Sequence, residues 1–266
     1  MAWNYGSQAQ EINRSLNDRV QIAGGAWFLD MDRKLRVEDR DTGRSVSIDF
    51  DDLGLDDSDE AALLGALVRL SRRWRLDVSA ASVDNSDTLA INPIVIGGRT
   101  LVPGASAGLK FSTDLVIARV GFAFVANEKG EFGVSLGASY IDAEARADAS
   151  VGGAAVGDVR ESVDGVIPTL GLFGTVALSE KWSITGRVSG IAISELGDIE
   201  DGNWLDASAS VVYRPFENIG FGLGYSFLDA DVEGDFSSGG DEFRGKVEFD
   251  YNGPLAFIEI GFGSVR

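Results

Sequence analysis

The sequence contains no histidine and no cysteine. Without cysteine it has no disulfide, no thiolate metal ligand and no cysteine nucleophile. Without histidine it lacks the commonest general base and cannot form a Ser-His-Asp triad. These two absences exclude most hydrolases and the usual zinc sites, so the sequence predicts a protein that is not an enzyme and that has no cofactor and no metal site.

Positive charge and long hydrophobic runs are also scarce. The chain has 23 Lys and Arg against 42 Asp and Glu, a formal net charge of −19. Nucleic acid is excluded as a partner because its recognition needs a basic surface. The longest stretch without a charged residue is Gly165–Ser179, shorter than the roughly 20 apolar residues of a spanning helix. Two classes are left, a soluble acidic β-protein and a transmembrane β-barrel.

Strong two-residue alternation is what the sequence does contain. In Ile219–Phe227 every second residue is large and apolar, and the residues between are Gly or Ser. Successive side chains of a strand point to opposite faces, so one face is apolar and the other nearly bare. A soluble sheet would carry charged residues on its outer face. The small second face favours the crowded interior of a small barrel, with the apolar face towards lipid.

The same pattern recurs in ten segments, which are separated alternately by short polar turns and long acidic or Gly-rich connections. Alternating connection lengths are typical of bacterial outer-membrane barrels. We therefore predict an all-β fold, a closed antiparallel up-and-down transmembrane β-barrel of about ten strands, with eight or twelve also open. The predicted strands are Val20–Val37, Ala61–Leu70, Trp74–Val83, Ala105–Val125, Phe132–Arg146, Val166–Leu178, Trp182–Ser194, Trp204–Tyr213, Ile219–Val232 and Glu242–Phe262.

Two regions depart from this pattern. Residues 1–19 are predicted to be a polar N-terminal tail or a short helix, and residues 20–266 the barrel domain. In the last strand the apolar residues change parity on either side of Asn252-Gly253-Pro254. Because proline cannot donate to a ladder, we expect a β-bulge there that restores the apolar face.

Charged residues of both signs fall on the predicted inner face, which favours pairing over a selectivity ring of one sign. They line a polar channel or form a salt-bridged plug, and a narrow ten-stranded lumen favours the plug. Arg244, Lys246, Glu248 and Asp250 share this inward parity before the expected bulge. The predicted lumen charge network comprises Arg69, Arg75, Asp77, Arg119, Arg187, Asp206 and Glu259.

Aromatic residues of the outer face cluster near predicted strand ends. The turns at 70–74 and 178–182 resemble each other, and each ends in a Trp whose amphipathic ring suits a membrane interface. The alternative is a Trp packed at the end of a soluble hairpin. The predicted interface aromatics are Trp74, Trp182, Tyr213, Tyr225 and Phe262.

The segment Asp49–Glu60 carries seven acidic residues. Clustered carboxylates suit Ca²⁺ or Mg²⁺, but the order of an EF-hand loop is missing. A solvated acidic loop is the favoured interpretation, and divalent ions that bridge it to lipopolysaccharide phosphates are the alternative.

The closing stretch Phe243–Phe262 resembles the last strand of proteobacterial outer-membrane β-barrels, with its terminal aromatic displaced by four residues. The resemblance implies a location in the bacterial outer membrane, contact with its lipid and lipopolysaccharide, and insertion by the barrel-assembly machinery. Barrel enzymes of this class depend on a catalytic histidine, which this chain lacks.

The expected function is therefore that of a non-enzymatic outer-membrane barrel, either structural or a narrow pore for small solutes. One alternative is a barrel that binds or passes hydrophobic small molecules. A soluble acidic β-protein is the other.

Overall fold

The computed structural model describes residues 13–39, 44–49, 58–90, 95–96, 99–100, 105–151, 154–196, 199–238 and 241–265. Within this part of the chain no helix is long and apolar enough to cross a membrane. The elements are α1 Arg14–Asn17, β1 Val20–Asp39, β2 Arg44–Asp49, β3 Ser58–Arg69, β4 Trp74–Ala90, β5 Val95–Ile96, β6 Arg99–Thr100, β7 Ala105–Ala126, β8 Gly130–Val151, β9 Ala154–Ala177, β10 Trp182–Leu196, β11 Ile199–Tyr213, β12 Ile219–Ser238 and β13 Asp241–Phe262.

The strands form one closed antiparallel barrel. Each long strand pairs with its neighbours in the chain, and β13 returns to pair with β1, where Phe262 lies opposite Val20. Strands β2 and β3 both pair with β1, at successive heights, and so share one position in the wall. The barrel therefore has ten strand positions, which confirms the predicted count. The short strands β5 and β6 pair with each other.

The strands continue beyond the predicted segments at the end with the long connections. Strand β4 extends to Ala90, and β8 and β9 pair as far as Val151 and Ala154, across most of the segment predicted as a loop. Apolar alternation marks only the part of a strand that faces lipid, whereas ladder hydrogen bonds can form with any side chain. At this end of the barrel, these strands are therefore several residues longer than predicted.

The outer surface carries an apolar belt. Leu223 is 69% exposed and Leu170 is 64% exposed, whereas Phe173, on the opposite parity, is 1% exposed. A belt of exposed Leu, Val, Ile and Phe on every side of a closed barrel requires lipid as its surroundings. The alternative of a soluble acidic β-protein is therefore wrong.

A second band of outward residues follows the upper edge of the apolar belt, on the side of the long connections. Asp114 lies opposite Asp142, and Asp142 lies opposite Asp164, so three carboxylates adjoin across three strands. Asp229 lies opposite Asp250 in the same way. We call this band the carboxylate girdle; its members are Asp30, Glu60, Asp84, Asp114, Asp142, Asp164, Asp229 and Asp250.

Strand β13 contains no bulge at Asn252-Gly253-Pro254. Its pairing with both β1 and β12 keeps one register through this segment. The predicted change of face is therefore wrong. Tyr251 points into the barrel and is 3% exposed, while Glu248 and Asp250 lie on the outward parity instead of the predicted inward one. The parity change reflects an apolar zone inside the upper barrel, which inward Tyr251 joins.

Candidate functional site: a filled lumen

The lower lumen, next to the short turns, is crossed by an ionic cluster built on Glu131. This residue is the second of β8 and lies on the inward parity. Its Oε1 accepts hydrogen bonds from Arg69 Nη2 and Arg75 Nη1, each at 2.9 Å. All three side chains are buried. The Arg75 guanidinium also lies 3.5 Å from the centroid of the Phe173 ring. The cluster is therefore held by packing on an aromatic ring as well as by ion pairs.

The segment that precedes β1 closes this end of the barrel. The Asn13 side chain caps α1 by accepting from Ser15 N, and its Nδ2 donates to Ser179 O at 2.6 Å and Trp182 O at 3.1 Å. Ser15 Oγ bonds Ser183 Oγ at 3.0 Å. Part of the segment predicted as a polar tail is thus bonded to the inner wall.

Arginines of the wall hold α1 in place. Arg69 donates to Ser15 O at 2.8 Å and to Asp18 O at 3.0 Å. Arg214 forms a buried ion pair with Asp18 and donates from Nε to Glu259 Oε1 at 2.6 Å. Burial raises the pKa of the Asp18 carboxyl, against the opposing influence of Arg214.

A second ionic cluster lies above the first. Asp77 Oδ1 accepts from Arg187 Nη1 at 3.0 Å and lies 3.5 Å from Arg119 Nη1. Arg119 also pairs with Asp206, whose other oxygen accepts from Ser189 Oγ at 2.6 Å. Each arginine of this cluster is thus paired with at least one carboxylate, as a buried charge requires.

The structure thus brings all seven predicted lumen residues into two adjoining clusters. The predicted network lacked three members of the first cluster, Asp18, Glu131 and Arg214, although Arg214 shares the inward parity of Asp206. Glu131 was placed just below the predicted strand start at Phe132, although its parity with Gly133 and Ser135 was a usable signal. Asp18 precedes the barrel and carries no such signal. With them the clusters balance, since Arg69, Arg75, Arg119, Arg187 and Arg214 face Asp18, Asp77, Glu131, Asp206 and Glu259.

The upper lumen is filled by apolar side chains instead. Trp204 is 2% exposed, and Trp27 donates from Nε1 to Gly253 O at 3.2 Å. We call this packed set the apolar layer; its members are Trp27, Leu29, Ala61, Val83, Leu115, Ile117, Ile167, Trp204, Leu228, Ala230 and Tyr251. It is continuous across the barrel interior, where the sequence predicted only small or polar residues.

Two cavities remain in the lumen. The upper cavity, about 170 Å³, lies between the apolar layer and the second ionic cluster. The lower cavity, about 120 Å³, lies nearer α1. Both are lined by Gly65, Ser79, Arg187, Ser210 and Phe257, so the two adjoin along one side of the barrel.

All five predicted interface aromatics point away from the lumen and are exposed. Trp182 stacks on Tyr213 with ring centroids 4.5 Å apart, and Trp74 packs on Phe122 at 5.1 Å. Tyr225 lies nearer the carboxylate girdle, where its hydroxyl donates to Asn252 Oδ1 at 2.5 Å.

No group of three or more acidic side chains with metal-binding geometry occurs among the described residues. Most of the predicted acidic loop, residues 50–57, lies outside the described part of the chain, as do the side chains of Arg244 and Lys246.

A ten-stranded closed barrel with an apolar belt, turn-proximal Trp residues and a charged interior defines the class of bacterial outer-membrane β-barrels, which associate with outer-membrane lipid. No known family and no curated protein matches the sequence. Solved structures do match. The outer membrane protease OmpT of Escherichia coli is 10% identical with a TM-score of 0.60, over 96% of this chain and 99% of that one.

Other similar structures are also barrels of this class. The outer membrane protein OprG of Pseudomonas aeruginosa is 11% identical with a TM-score of 0.40, over 93% of this chain and 98% of that one. The attachment invasion locus protein Ail of Yersinia pestis is 12% identical with a TM-score of 0.31, over 90% and 98%. At these identities only the fold is shared.

Proposed function

We propose that the protein is a non-enzymatic, structural outer-membrane barrel whose lumen is closed to the passage of solutes from one side of the membrane to the other. The observation that carries this proposal is the succession of α1, two ionic clusters and the apolar layer across the same interior. An ion would have to break the Arg–carboxylate pairs and then enter a packed apolar zone, and both steps are costly.

A lack of catalysis is the second part of this proposal. The lumenal carboxylates Asp18, Asp77, Glu131, Asp206 and Glu259 are all ion-paired with arginine. Oxygens held by arginine in this way are not positioned to take a proton from a substrate. Lys110, Lys129 and Lys181 are exposed, which argues against a Ser–Lys base. A protease or lipase assay on folded protein should show no turnover; turnover abolished by Asp206→Asn would contradict this.

A narrow pore for small solutes is the second candidate. The observation that favours it is the adjacency of the two cavities along the wall formed by Ala23, Gly65 and Ser79. Arg187 and Phe257 are the two large side chains among the residues that line both cavities, so their rotation could join the two.

Planar-bilayer recording distinguishes these candidates. Protein whose folding is verified by heat-modifiable gel mobility should give no steady current in concentrated KCl if the barrel is closed. Arg187→Ser, which shortens the side chain between the cavities, should still give none because the apolar layer remains. Steady conductance steps from the wild-type protein would contradict the closed lumen and support the pore.

We also propose contacts with lipopolysaccharide around the outer rim and insertion by the barrel-assembly machinery. The support for the assembly contact is the exposed aromatic Phe262 at the end of β13. The support for the lipopolysaccharide contact is the apolar belt, whose edge on the side of the long connections faces the outer leaflet in barrels of this class. Depletion of the assembly machinery should reduce the heat-modifiable form of this protein, and an unchanged level would contradict the second contact.

A further inference from the structure

We propose that the upper cavity binds a small carboxylate with an apolar body about the size of a benzene ring. This site rests on the closed lumen proposed above, because an open channel would flood the cavity with water. The new element is that the cavity has a ligand of defined chemistry.

The size of the cavity sets the size of the ligand. Its volume is about 170 Å³. A dry engineered cavity of roughly 150 Å³ in another protein accommodates benzene. The upper cavity can therefore hold one ring or a short chain, but not a lipid tail or a sugar.

The chemistry of the cavity walls is divided. Towards the apolar layer the wall consists of Trp27, Leu63, Leu115, Leu228 and Leu255. Water in contact with such a wall finds few hydrogen-bond partners, so an apolar group that displaces it is favoured.

The opposite wall is polar and ionic. Arg119, Arg187 and Asp206 line the cavity there. Arg119 is buried and engaged with Asp206. Arg187 keeps 33% of its side-chain surface exposed and pairs through Nη1 with Asp77, which it shares with Arg119.

Arg187 donates to Asp77 through Nη1, which leaves the other donors of its guanidinium for a ligand. A carboxylate is the acceptor that a guanidinium recognises best. Ser208 and Ser210 lie in the same lining, and their hydroxyls can donate to a second ligand oxygen. An ammonium group placed there would instead meet the Arg187 guanidinium and find both oxygens of Asp206 already bonded to Arg119 and Ser189.

The wall on the side of β1, β3 and β4 leaves room for the ligand because its residues are small. A Cβ added to Gly65 would lie 3.8 Å from Ala23 Cβ, an ordinary contact. A larger side chain at Gly65 is therefore compatible with the wall and would project into the cavity. This gives a variant that fills the site without disturbing the ionic clusters.

Three fluorinated probes test the site by ¹⁹F NMR titration of full-length protein folded in a zwitterionic detergent. We expect saturable binding of 4-fluorobenzoate, at least tenfold weaker binding of 4-fluorotoluene, and no saturable binding of 4-fluorobenzylamine. Equal binding of the three would show partition into the micelle and overturn the proposal, as would no saturable binding of the benzoate by folded protein.

Matched variants locate the binding. Gly65→Leu should abolish benzoate binding. Gly186→Leu adds the same side chain to the outer face, where an added Cβ would make an ordinary contact with Ser208 O at 3.8 Å, and should leave benzoate binding unchanged. Arg187→Gln should weaken binding at least tenfold, with recovery in Arg187→Lys. Ser210→Leu replaces Gly65→Leu if the latter does not fold.

The outcome is separable from that of the function proposed above. A non-conducting barrel that fails to bind benzoate contradicts only the site. Steady wild-type conductance contradicts the closed lumen whatever the binding result. Benzoate affinity that is unchanged in both Gly65→Leu and Arg187→Gln would overturn the assignment to this cavity.

Discussion

The two halves of the lumen solve the same packing problem with opposite chemistry. Near the short turns the interior is filled by five arginines and five carboxylates, one of which, Asp18, directly follows α1. Towards the long connections it is filled by Trp, Leu, Ile and Tyr. The ionic half depends on partners, because a buried charge that loses its partner is costly. The apolar half depends only on shape and volume. The comparison predicts different responses to single substitutions.

The largest effect is expected in the ionic half. Glu131→Ala would leave Arg69 and Arg75 buried without their shared carboxylate, and we expect the free energy of unfolding in lipid vesicles to fall by about 3–5 kcal/mol. The control is Glu128→Ala on the exposed turn, expected to change it by less than about 0.5 kcal/mol. Similar values for the two variants would show that the ionic cluster does not support the fold.

In the apolar half, Trp204→Ala leaves a void but no unpaired charge. We expect a loss of about 3–4 kcal/mol of unfolding free energy. The exposed Trp182 at the belt edge is the matched control, and Trp182→Ala should lose less than half as much. Chemical denaturation of both variants in the same vesicles measures this. Equal losses would mean that the upper lumen is hydrated instead of packed.

A charged residue introduced on the apolar belt tests whether the outer face of the barrel is in contact with lipid. Leu223→Arg should cost about 2–4 kcal/mol, as expected for a cation at the bilayer midplane. Glu180→Arg on a turn serves as the control and should be nearly neutral. Unfolding free energies that do not separate these two variants would sink the assignment of Leu223 to the lipid face.

The smallest effect concerns pH and α1. Because burial raises the pKa of Asp18, the docked helix binds a proton better than the undocked one. Protonation of Asp18 therefore stabilises the docked helix. This stabilisation is complete below the usual carboxyl pKa and is lost as the pH rises through the raised pKa of Asp18. Corrected amide exchange of residues 14–17 should therefore be slower near pH 4, close to the usual carboxyl pKa, than at pH 7. Asp18→Asn should remove the difference, and faster exchange at the lower pH would reverse the sign we assign.

Alternation predicted the barrel because lipid outside and a crowded interior impose it on every spanning strand. The placements of Arg119, Arg187, Asp77 and Asp206 followed from parity alone. Parity could not reveal Asp18, which reaches the lumen through a helix turn. It also misassigned Tyr251, because an apolar side chain on a barrel strand can face either lipid or an apolar interior. Which of the two environments the side chain meets depends on how strands distant in the sequence pair, and the alternation within a single segment does not contain that information.

The carboxylate girdle has a mechanical consequence for the barrel as a whole. On β4 ten residues separate Trp74 from Asp84, and a tilted strand of that length rises about 25 Å. If the barrel moved deeper into the membrane or tilted, carboxylates of the girdle would enter the hydrocarbon region. The Trp residues at the opposite interface oppose movement in the other direction. The barrel is thereby fitted to a thin bilayer and held upright in it, and a thicker membrane would have to deform around it.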